Sequence, residues 1–475
     1  MTARLAALLD EVEVIEVVGG DAAEVEVTTV TQDSRAVVPG SLYCCIPGQV
    51  VDGHDLATDV VRSGAGSLLV ERLVEVTVPQ VRVASTRQAV APVAAAFWGR
   101  PSRRLSVTGI TGTNGKTTTA HLLASILRAA GRATGVVGTL TGQRTTPEAP
   151  VLQAELARFA HEGCDAVVME VSSQALDQRR ADAIDFAVGV WTNLTQDHLD
   201  YHGDMASYFE AKARLFESGR CRLAVINEED RWGRSLAARL AIPVHRYALA
   251  DAGDVAEGPD GCRFTWRGQS VFLPLGGRHN VLNALAAATA AEVLGVTAAD
   301  AASGLAAAPP VPGRWERIDA GQPFTVVVDY AHTPDGLEQV LTAGRRAVGD
   351  GGRVIVVFGC GGERDRAKRP LMAAVATRLA DESVLTSDNP RSEDPSGIIA
   401  EAAHGATPGA TLVIEADRAT AIGIALSRAA PGDVVLITGK GHETGQYIAD
   451  RVLPFDDREV ARSVLRAKFP PGAPS

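Results

Sequence analysis

The stretch LSVTGITGTNGKTTTAHLLASILRAAG, residues 105–131, decides the fold. An apolar, strand-like run leads through a glycine-rich turn to Gly-Lys-Thr-Thr, which opens an amphipathic helix. Backbone N–H groups in such a turn point inward and the helix N-terminus adds partial positive charge, so the turn can cradle phosphate groups. We expect Lys116 to contact the terminal phosphates and Thr117 to bind Mg²⁺. The other expected nucleotide-binding residues of this loop are Gly112, Thr113, Asn114, Gly115 and Thr118.

The loop departs from the strict GxxxxGK[ST] pattern. Ile110 stands where the first glycine belongs, Gly109 comes one residue early, and Gly112 falls inside the loop. The alternative is an ordinary strand-to-helix turn. That alternative does not account for a Gly-Lys-Thr-Thr sequence at the start of a helix.

Composition limits the class of protein. A chain of 475 residues is too long for one core, and 46% hydrophobic with 22% charged residues is typical of a soluble globular protein. The net charge of -11 argues against general binding of nucleic acid or anionic membranes. An anionic ligand stays possible, because a local cluster of donors can override the global charge.

Cysteine use and the N-terminus favour a cytoplasmic protein. The six cysteines are scattered and form no CxxC pair, so no disulfide framework is expected. The first twenty residues carry early acids and lack a basic segment followed by an apolar one, which is not the pattern of a signal peptide. Uncharged apolar runs are too short for a membrane helix, so we expect no membrane insertion.

The pattern of apolar runs predicts an α/β fold with three domains. Residues 1–98 contain short β-rich runs separated by glycine turns. Residues 99–314 alternate strand-like and helical stretches, the signature of a parallel sheet, here in a phosphate-loop domain. A proline- and glycine-rich linker, AAAPPVPGRWERID, precedes a second alternating series over 315–475, which predicts a C-terminal Rossmann-like domain.

The motif TGTNGKTT resembles that of the Mur ligases, the ATP-dependent amide-forming enzymes of peptidoglycan synthesis. Other segments resemble family motifs in the same order: MEVSSQALDQRR, TNLTQDHLDYHGDMASYFEAKARLF, GRHNVLNALAA, GRWERI, VVDYAHTPDGL, FGCGGERDRAKRPLM, DNPRSEDP and GKGHE. The resemblance covers nearly the whole chain. It is greatest to the members that add 2,6-diaminopimelate to the D-Glu of UDP-MurNAc-L-Ala-D-Glu.

The resemblance implies one role for each domain. Residues 1–98 bind the UDP end of the substrate, 99–314 bind ATP, and 315–475 close over ATP and bring the incoming amino acid. The N-terminal stretch TQDSRAVVPGSLYCCIPGQVVDGH also resembles the uridine-nucleotide domain, with uracil contacts expected near Gln49. We expect the protein to act as a monomer.

Forming an amide in water requires an activated carboxylate. ATP can convert the carboxylate to an acyl phosphate, which an amine attacks with release of phosphate. A protein doing this must hold Mg²⁺, neutralise phosphoryl oxygens and exclude water. Glu170 ends the apolar strand AVVME, at the edge where α/β sheets place ligands, and His198 lies in the polar loop after the next strand. The resemblance implies that both bind Mg²⁺.

Lys212 lies in a helical segment, where a lysine is usually a solvated surface charge. The resemblance instead identifies it as a lysine carbamylated by CO₂. An ammonium beside Mg²⁺ and Lys116 would be repelled, whereas a carbamate offers negatively charged oxygens that suit a hard cation. The expected catalytic residues are therefore Lys116, Lys212 and His198.

Further contacts follow from the resemblance alone. Asn283 matches a residue that contacts adenine, Asp329 one that contacts ribose, and Arg314 one that contacts ATP. The positions that match contacts of the UDP-linked substrate are Ser34, Thr145, Thr146, Ser172, Gln178 and Arg180. Without the family context, a turn or a helix cap would explain each of these hydroxyl groups.

The segment TSDNPRSEDP, residues 386–395, indicates which amino acid is added. It follows an apolar strand, and Arg391 offers a planar fork for a carboxylate. Diaminopimelate has a distal carboxylate that lysine lacks, and a buried arginine would repel the lysine amine. The resemblance assigns contacts with diaminopimelate to Arg364, Asp388, Asn389, Pro390, Arg391, Gly439 and Glu443. The meso isomer is expected, with the LL isomer left open.

Two departures and three alternatives remain. The family commonly has His at Gln174 and Arg at Gln196, both of which flank functional residues. Arg391 and the uridine-type domain argue against a lysine-adding or secondary-pathway relative and against a folylpolyglutamate-synthase-like ligase. A non-catalytic nucleotide-binding scaffold would not need the metal set.

Overall fold

The structure, a computed structural model, describes residues 2–48, 50–142, 144–258, 260–348 and 351–469. Gln49, the position expected near uracil, lies outside them. Within these ranges, no helix has both the length and the apolar character needed to cross a membrane.

The N-terminal part forms a five-stranded sheet with the order β2-β7-β6-β5-β4, parallel except for the edge strand β2. Its elements are β1 Ala3–Arg4, α1 Leu5–Leu8, β2 Val14–Val18, β3 Glu26–Val27, β4 Thr29–Thr31, β5 Ser41–Cys44, α2 Ala57–Arg62, β6 Ala65–Val70, β7 Gln80–Val83 and α3 Thr86–Phe97. Short 3₁₀ turns lie at Ser34–Ala36 and Gly53–Leu56. This sheet matches the β-rich runs predicted for the segment.

The central part is built on a six-stranded sheet, parallel throughout, with the order β13-β12-β11-β8-β10-β9. Its elements are β8 Ser106–Thr111, α4 Lys116–Ala129, β9 Thr134–Val137, α5 Ala149–His161, β10 Ala166–Glu170, α6 Ser173–Asp177, β11 Phe186–Trp191, α7 Leu199–His202, α8 Met205–Ala213, β12 Cys221–Asn227, α9 Arg231–Arg239, β13 Val244–Tyr247, β14 Gly253–Gly258, β15 Gly261–Trp266, β16 Gln269–Leu273, α10 Arg278–Val293 and α11 Ala298–Ala306. Strands β14, β15 and β16 form a separate antiparallel sheet that the alternation did not predict.

Helix α4 begins directly after the glycine-rich turn, as predicted, and is enclosed by α10 and α11. The alanine-rich α10 is buried along most of its length, as its sequence predicts for a core helix. Small side chains permit close approach: a Cβ on Gly304 would lie 2.5 Å from the Cα of Ile126 in α4. This packing fixes the helix whose N-terminus faces the site.

The C-terminal part has a second six-stranded sheet with the order β17-β18-β22-β19-β20-β21, parallel except for β17. Its elements are β17 Glu316–Arg317, β18 Thr325–Asp329, α12 Pro334–Ala347, β19 Val354–Cys360, α13 Lys368–Leu379, β20 Glu382–Ser387, α14 Pro395–Ala403, β21 Leu412–Ile414, α15 Arg418–Arg428, β22 Val434–Thr438, β23 Gly445–Ile448, β24 Arg451–Pro454 and α16 Asp457–Lys468. The α/β class with parallel sheets is confirmed, while the domain boundaries after residues 98 and 314 stay predictions.

The central and C-terminal sheets share one hydrophobic cluster. It includes Ile110 and Leu285 of the central part, Trp315 at the junction, and Val327 and Leu436 of the C-terminal part. Because the carboxyl ends of parallel strands collect ligand-binding loops, this packing places two such edges beside each other.

A buried ion pair links two helices to the C-terminal sheet. Arg418 Nε and Nη2 donate to the two carboxylate oxygens of Asp457, both at 2.7 Å, and neither side chain is exposed. Arg418 Nη2 also donates to the carbonyl of Thr438 at 2.9 Å, at the end of β22. The guanidinium thus holds α15, α16 and a central strand together.

We predict that Asp457→Ala destabilises the protein by about 3–5 kcal/mol, because it leaves the Arg418 guanidinium buried without a counter-charge. The midpoint of urea unfolding, followed by circular dichroism, measures the loss. Asp450→Ala is the matched control, since that carboxylate is 90% exposed and its removal should hardly move the midpoint. Equal midpoints for the two variants would contradict the prediction.

Candidate active site

A cavity of about 440 Å³ opens between the glycine-rich loop, the carboxyl ends of the central strands and the start of the C-terminal part. Many of the residues expected at a nucleotide and metal site line it: Thr113, Asn114, Gly115, Lys116, Thr117, Thr118, Glu170, His198, Asn283, Arg314 and Asp329. The fold therefore brings together residues that are up to about two hundred positions apart in the chain.

The glycines of the loop are required by geometry. Gly112 has φ +152° and Gly115 has φ +86°, in the region that side chains rarely adopt. A Cβ would lie 1.8 Å from Thr192 Oγ1 at the first position and 2.3 Å from Asn283 Oδ1 at the second. Asn193 supports the loop from below: its carbonyl and its side-chain oxygen accept from the backbone N–H groups of Thr113 and Asn114, each at 2.9 Å.

Lys116 lies at the mouth of this loop. Its Nζ donates to the carbonyls of Gly112 and Thr113, each at 2.9 Å. Burial lowers the pKa of this ammonium, while Glu170 and Asp197 act in the opposite direction. A cation held on the loop backbone is well placed to neutralise phosphoryl oxygens.

Glu170 and Thr117 form a connected pair at the floor of the cavity. Glu170 is buried at the end of β10, and its Oε2 accepts from Thr117 Oγ1 at 2.8 Å. Its Oε1 accepts from the backbone N–H of Thr139 at 2.8 Å. A hydroxyl and a carboxylate are oxygen donors of the kind that Mg²⁺ prefers.

His198 supplies a neutral imidazole nearby. Its backbone adopts φ +54°, which turns the chain sharply before α7. Desolvation lowers the pKa of His198 to about 4, against the opposing effect of Asp197, so a ring lone pair is free at neutral pH. In the described ranges, however, no group of three or more His, Cys, Asp or Glu residues is arranged to hold a metal. Glu170 and His198 would need a further anionic donor.

Lys212 is the candidate for that donor. It is 1% exposed, which excludes the alternative of a solvated surface lysine. Its Nζ donates to the carbonyl of Gly112 at 2.8 Å and lies 4.7 Å above the centre of the Tyr208 ring. Burial, together with repulsion from Lys116, lowers the pKa of Lys212 well below its usual value. Among the described residues, no carboxylate comes within ion-pair distance of it.

Three residues expected at the nucleotide surround the other side of the cavity. Asn283 packs on Gly115 and donates to Asn280 Oδ1 at 3.1 Å. Arg314 donates to Thr117 Oγ1 at 3.3 Å, and its guanidinium lies 4.2 Å above the centre of the Tyr330 ring. Asp329 faces the cavity, yet its carboxylate also accepts two backbone N–H groups at 2.7 and 2.8 Å, so it orders the local turn as well.

Asp197 connects the two halves of the site and was missed by sequence reasoning. It lies 3.7 Å from His332 Nε2 and 3.4 Å from Lys368 Nζ, both in the C-terminal part. Burial alone would raise the pKa of Asp197, but these partners hold it well below the usual range. Two features of the sequence pointed to Asp197: it directly precedes His198, and the motif VVDYAHTPDGL contains a histidine, His332, that could pair with it. Asn193 had no such signal, because its role depends on strand neighbours.

Only some of the residues expected to contact the UDP-linked substrate lie together in the structure. Arg180 donates to the carbonyl of Thr146 at 3.3 Å and to Gln178 Oε1 at 2.6 Å, and the backbone N–H of Ser172 donates to Thr146 Oγ1 at 3.0 Å. Arg180 already pairs with Glu148 at 3.0 Å, a residue that sequence reasoning missed. Thr145 instead lines the nucleotide cavity, and Ser34 begins a 3₁₀ turn in the N-terminal sheet domain.

The residues expected at the amino acid lie in the loops that follow β19, β20 and β22, and we call this group the acceptor pocket: Arg364, Asp388, Asn389, Pro390, Arg391, Gly439 and Glu443. A Cβ on Gly361 would lie 3.3 Å from Arg391 Nη1 and 3.8 Å from Arg364 Cγ, so both arginines converge there. Burial and the neighbouring Arg364 lower the pKa of Arg391. Asn389 Nδ2 donates to Glu443 Oε2 at 2.8 Å. A Cβ on Gly439 would lie 2.6 Å from Asp388 Oδ2, and its φ of +114° disfavours any side chain there.

Three family models match the chain. They are described as the catalytic domain of the Mur ligase family, over residues 26–98, the Mur ligase middle domain, over 110–291, and the Mur ligase glutamate ligase domain, over 313–441. A curated relative from Geobacillus thermodenitrificans is 46% identical over 93% of this chain and 96% of its own length. The chain belongs to the Mur ligase family. The resemblance drawn from the motifs is thus confirmed.

Two curated relatives of this Mur ligase have the same name. Those from Geobacillus thermodenitrificans and Streptomyces coelicolor, the latter 45% identical over 93% of both chains, are named UDP-N-acetylmuramoyl-L-alanyl-D-glutamate–2,6-diaminopimelate ligase. A solved structure of a protein with that name is 32% identical, with a TM-score of 0.69 over 98% of this chain and 99% of the other. MurF from Acinetobacter baumannii has the same TM-score at 21% identity and covers 99% of both chains, which shows the shared fold. The three-domain architecture is confirmed.

The two departures from the family pattern have different surroundings in this Mur ligase. Gln196 Nε2 donates to Asp365 Oδ2 at 2.9 Å, which links the central and C-terminal parts beside the site. An arginine there would form an ion pair where the glutamine forms a neutral-to-charged hydrogen bond. Gln174 lies in α6 and is half-buried.

We predict that Gly115→Ala weakens ATP binding at least about tenfold, because the added Cβ meets Asn283 and the backbone is held at positive φ. Isothermal titration calorimetry with ATP measures the effect. Gly131→Ala is the matched control: it also has positive φ, at +78°, but nothing lies within 4 Å of its Cβ. Similar losses in both variants would mean that backbone strain, not the cavity contact, is responsible.

Proposed function

We propose that this chain joins 2,6-diaminopimelate to the D-Glu carboxylate of UDP-MurNAc-L-Ala-D-Glu, with cleavage of ATP to ADP and phosphate, in peptidoglycan precursor synthesis. The observation that carries the proposal is the acceptor pocket, where Arg391 and Arg364 converge at the end of a parallel strand. The shared name of the relatives supports the same reaction. We propose that the chain works as a monomer in the cytoplasm, where its six free cysteines would stay reduced.

The first step transfers the γ-phosphoryl group of ATP to the substrate carboxylate, giving an acyl phosphate and ADP. The loop N–H groups and Lys116 hold the phosphates, and Arg314, beside Thr117, adds a second positive charge near the transferred group. Asn283 and Asp329 are the proposed contacts of adenine and ribose. The expected substrate contacts are Thr145 and the group around Arg180, with Ser34 towards the UDP end.

The residues present fit a magnesium ion. Thr117 and Glu170 offer oxygen donors, His198 offers a neutral imidazole, and Lys212 would complete the set as a carbamate. A lowered pKa favours the neutral amine of Lys212, which is the form that combines with CO₂ to give a carbamate and a proton. When bound, Mg²⁺ would offset charge on the phosphoryl oxygens during transfer.

In the second step, the free amine of diaminopimelate attacks the acyl carbon. The tetrahedral intermediate then expels phosphate, and the nitrogen loses a proton, to give the amide. We assign the distal carboxylate to Arg391 with Arg364, and the distal ammonium to Glu443. The packing of the C-terminal part against the central site excludes water that would otherwise hydrolyse the acyl phosphate.

One assay tests the reaction. ATP, Mg²⁺ and UDP-MurNAc-L-Ala-D-Glu are supplied with meso-diaminopimelate, LL-diaminopimelate or L-lysine, and phosphate release is compared. We expect turnover with diaminopimelate, with the meso isomer favoured, and little with lysine. Absence of phosphate release with every amine would refute the ligase function.

We predict that Arg391→Ala raises the KM for diaminopimelate about 10- to 100-fold and leaves the affinity for ATP unchanged, because it removes a charged hydrogen bond to the distal carboxylate. Arg62→Ala is the control, since that arginine is 75% exposed and far from the site in sequence. An unchanged KM for diaminopimelate in the Arg391 variant would contradict its assigned role.

We predict that Lys212→Ala abolishes turnover and that added formate restores part of it by supplying a carboxylate in the vacated space. Phosphate release with and without formate measures this. Lys468→Ala, at an exposed lysine of α16, controls for the loss of a lysine. Turnover of Lys212→Ala at the wild-type rate would show that the site needs no carbamate.

A further inference from the structure

Lys440 lies at the centre of the acceptor pocket, and its side chain is fully buried. Its Nζ donates three hydrogen bonds, at 3.0 Å to Asn389 Oδ1, 3.0 Å to Glu443 Oε2 and 2.7 Å to the carbonyl of Gly445. All three hydrogens of the ammonium are therefore used. Sequence reasoning missed this residue, although it stands inside the motif GKGHE.

The three acceptors lie on three different segments of the chain around the acceptor pocket. Asn389 lies on the loop that carries Arg391, Glu443 follows β22, and Gly445 begins the hairpin of β23 and β24. The same hairpin pairs with the backbone of Arg391, whose N–H donates to the carbonyl of Tyr447 at 2.9 Å. One ammonium thus fixes the relative positions of the groups that face the amino acid.

The acceptor pocket contains both carboxylates and arginines, which could pair with each other. Asp388 and Glu443 both act electrostatically on Arg391, and burial strengthens such attractions. A free glutamate close to an arginine in a half-buried pocket would pair with it. In the described part of the chain Arg391 nevertheless forms no ion pair, and its Nη1 donates to the carbonyl of Gly362 instead.

Two donors hold one carboxylate oxygen of Glu443. Its Oε2 accepts from Lys440 Nζ at 3.0 Å and from Asn389 Nδ2 at 2.8 Å. Asn389 cannot reverse its amide, because its Oδ1 accepts from Lys440 and from the backbone N–H of Tyr447 at 3.1 Å. This leaves the other oxygen of Glu443 for a ligand ammonium.

We propose that Lys440 is a positioning residue for the amino-acid substrate. Its hydrogen bond to Glu443 prevents that carboxylate from pairing with Arg391, so the Arg391 guanidinium can bind the distal carboxylate of the substrate. The inference rests on the proposed function and adds a residue to its selectivity. Lys440 touches neither of the reacting groups. Its effect on diaminopimelate passes through Glu443 and Asn389.

The test replaces the ammonium by a side chain of similar length. We expect Lys440→Met to raise the KM for diaminopimelate at least about tenfold, because Glu443 then pairs with Arg391, while the KM for ATP changes less than about twofold. The preference for diaminopimelate over lysine, as the ratio of kcat/KM values, should fall as well. Lys468→Met is the matched control and should behave as the wild type.

A double-mutant cycle separates this role from a merely structural one. In a Glu443→Gln background the competitor for Arg391 is gone, so Lys440→Met should raise the KM for diaminopimelate much less than it does alone. Equal factors in both backgrounds would overturn the inference. Lys440→Gln, whose amide keeps two N–H donors but neither the third donor nor the charge, gives the comparison if the methionine variant does not fold.

The outcomes also distinguish the two proposals. A wild-type enzyme that fails to release phosphate with diaminopimelate refutes the proposed function and this inference with it. A wild type that turns over diaminopimelate, beside a Lys440→Met variant with an unchanged KM, refutes the inference alone.

Discussion

Two ammonium groups share one backbone oxygen in the centre of this protein. Lys116 and Lys212 both donate to the carbonyl of Gly112, at 2.9 and 2.8 Å. Gly112 itself has φ +152°, and a Cβ there would lie 1.8 Å from Thr192 Oγ1. The mutual repulsion of the two cations, added to burial, lowers the pKa of Lys212. An anion beside the two lysines would offset this repulsion, as would the phosphate or the Lys212 carbamate proposed above.

The C-terminal part completes the site as well as supplying the acceptor pocket. Asp197, beside the metal candidate His198, lies against His332 and Lys368, and Asn114 of the phosphate loop donates to Asp335 at 2.9 Å. These contacts join the central and C-terminal parts between the candidate nucleotide site and the acceptor pocket. Such contacts between the two parts cover one side of the candidate site, which suits a reaction with a hydrolysable intermediate.

The sequence predicts what depends on local pattern. The phosphate loop, the strand-end position of Glu170 and the turn at Arg391 each follow from a few adjacent residues, because glycine at positive φ and an apolar strand leave a local signature. The role of Asn193 as a support, the pairing of Arg180 with Glu148 and the antiparallel sheet of β14–β16 had no such signature. They depend on which strands become neighbours, and a single sequence does not specify this. The motif resemblance supplied the remaining site residues, without their geometry.

Lysine is rare in this chain and is concentrated at the two sites. The chain has five, and four of them lie at the two sites: Lys116, Lys212, Lys368 and Lys440. Arginine carries most of the surface positive charge, where either residue would serve. A guanidinium does not lose its proton, so it could not form the carbamate proposed for Lys212, and its donors lie in one plane, unlike those of the compact Lys440 ammonium. The same residue type thus has two opposite uses: Lys212 is buried away from carboxylates, where the neutral amine is favoured, and Lys440 is buried against Glu443, where its charge is needed.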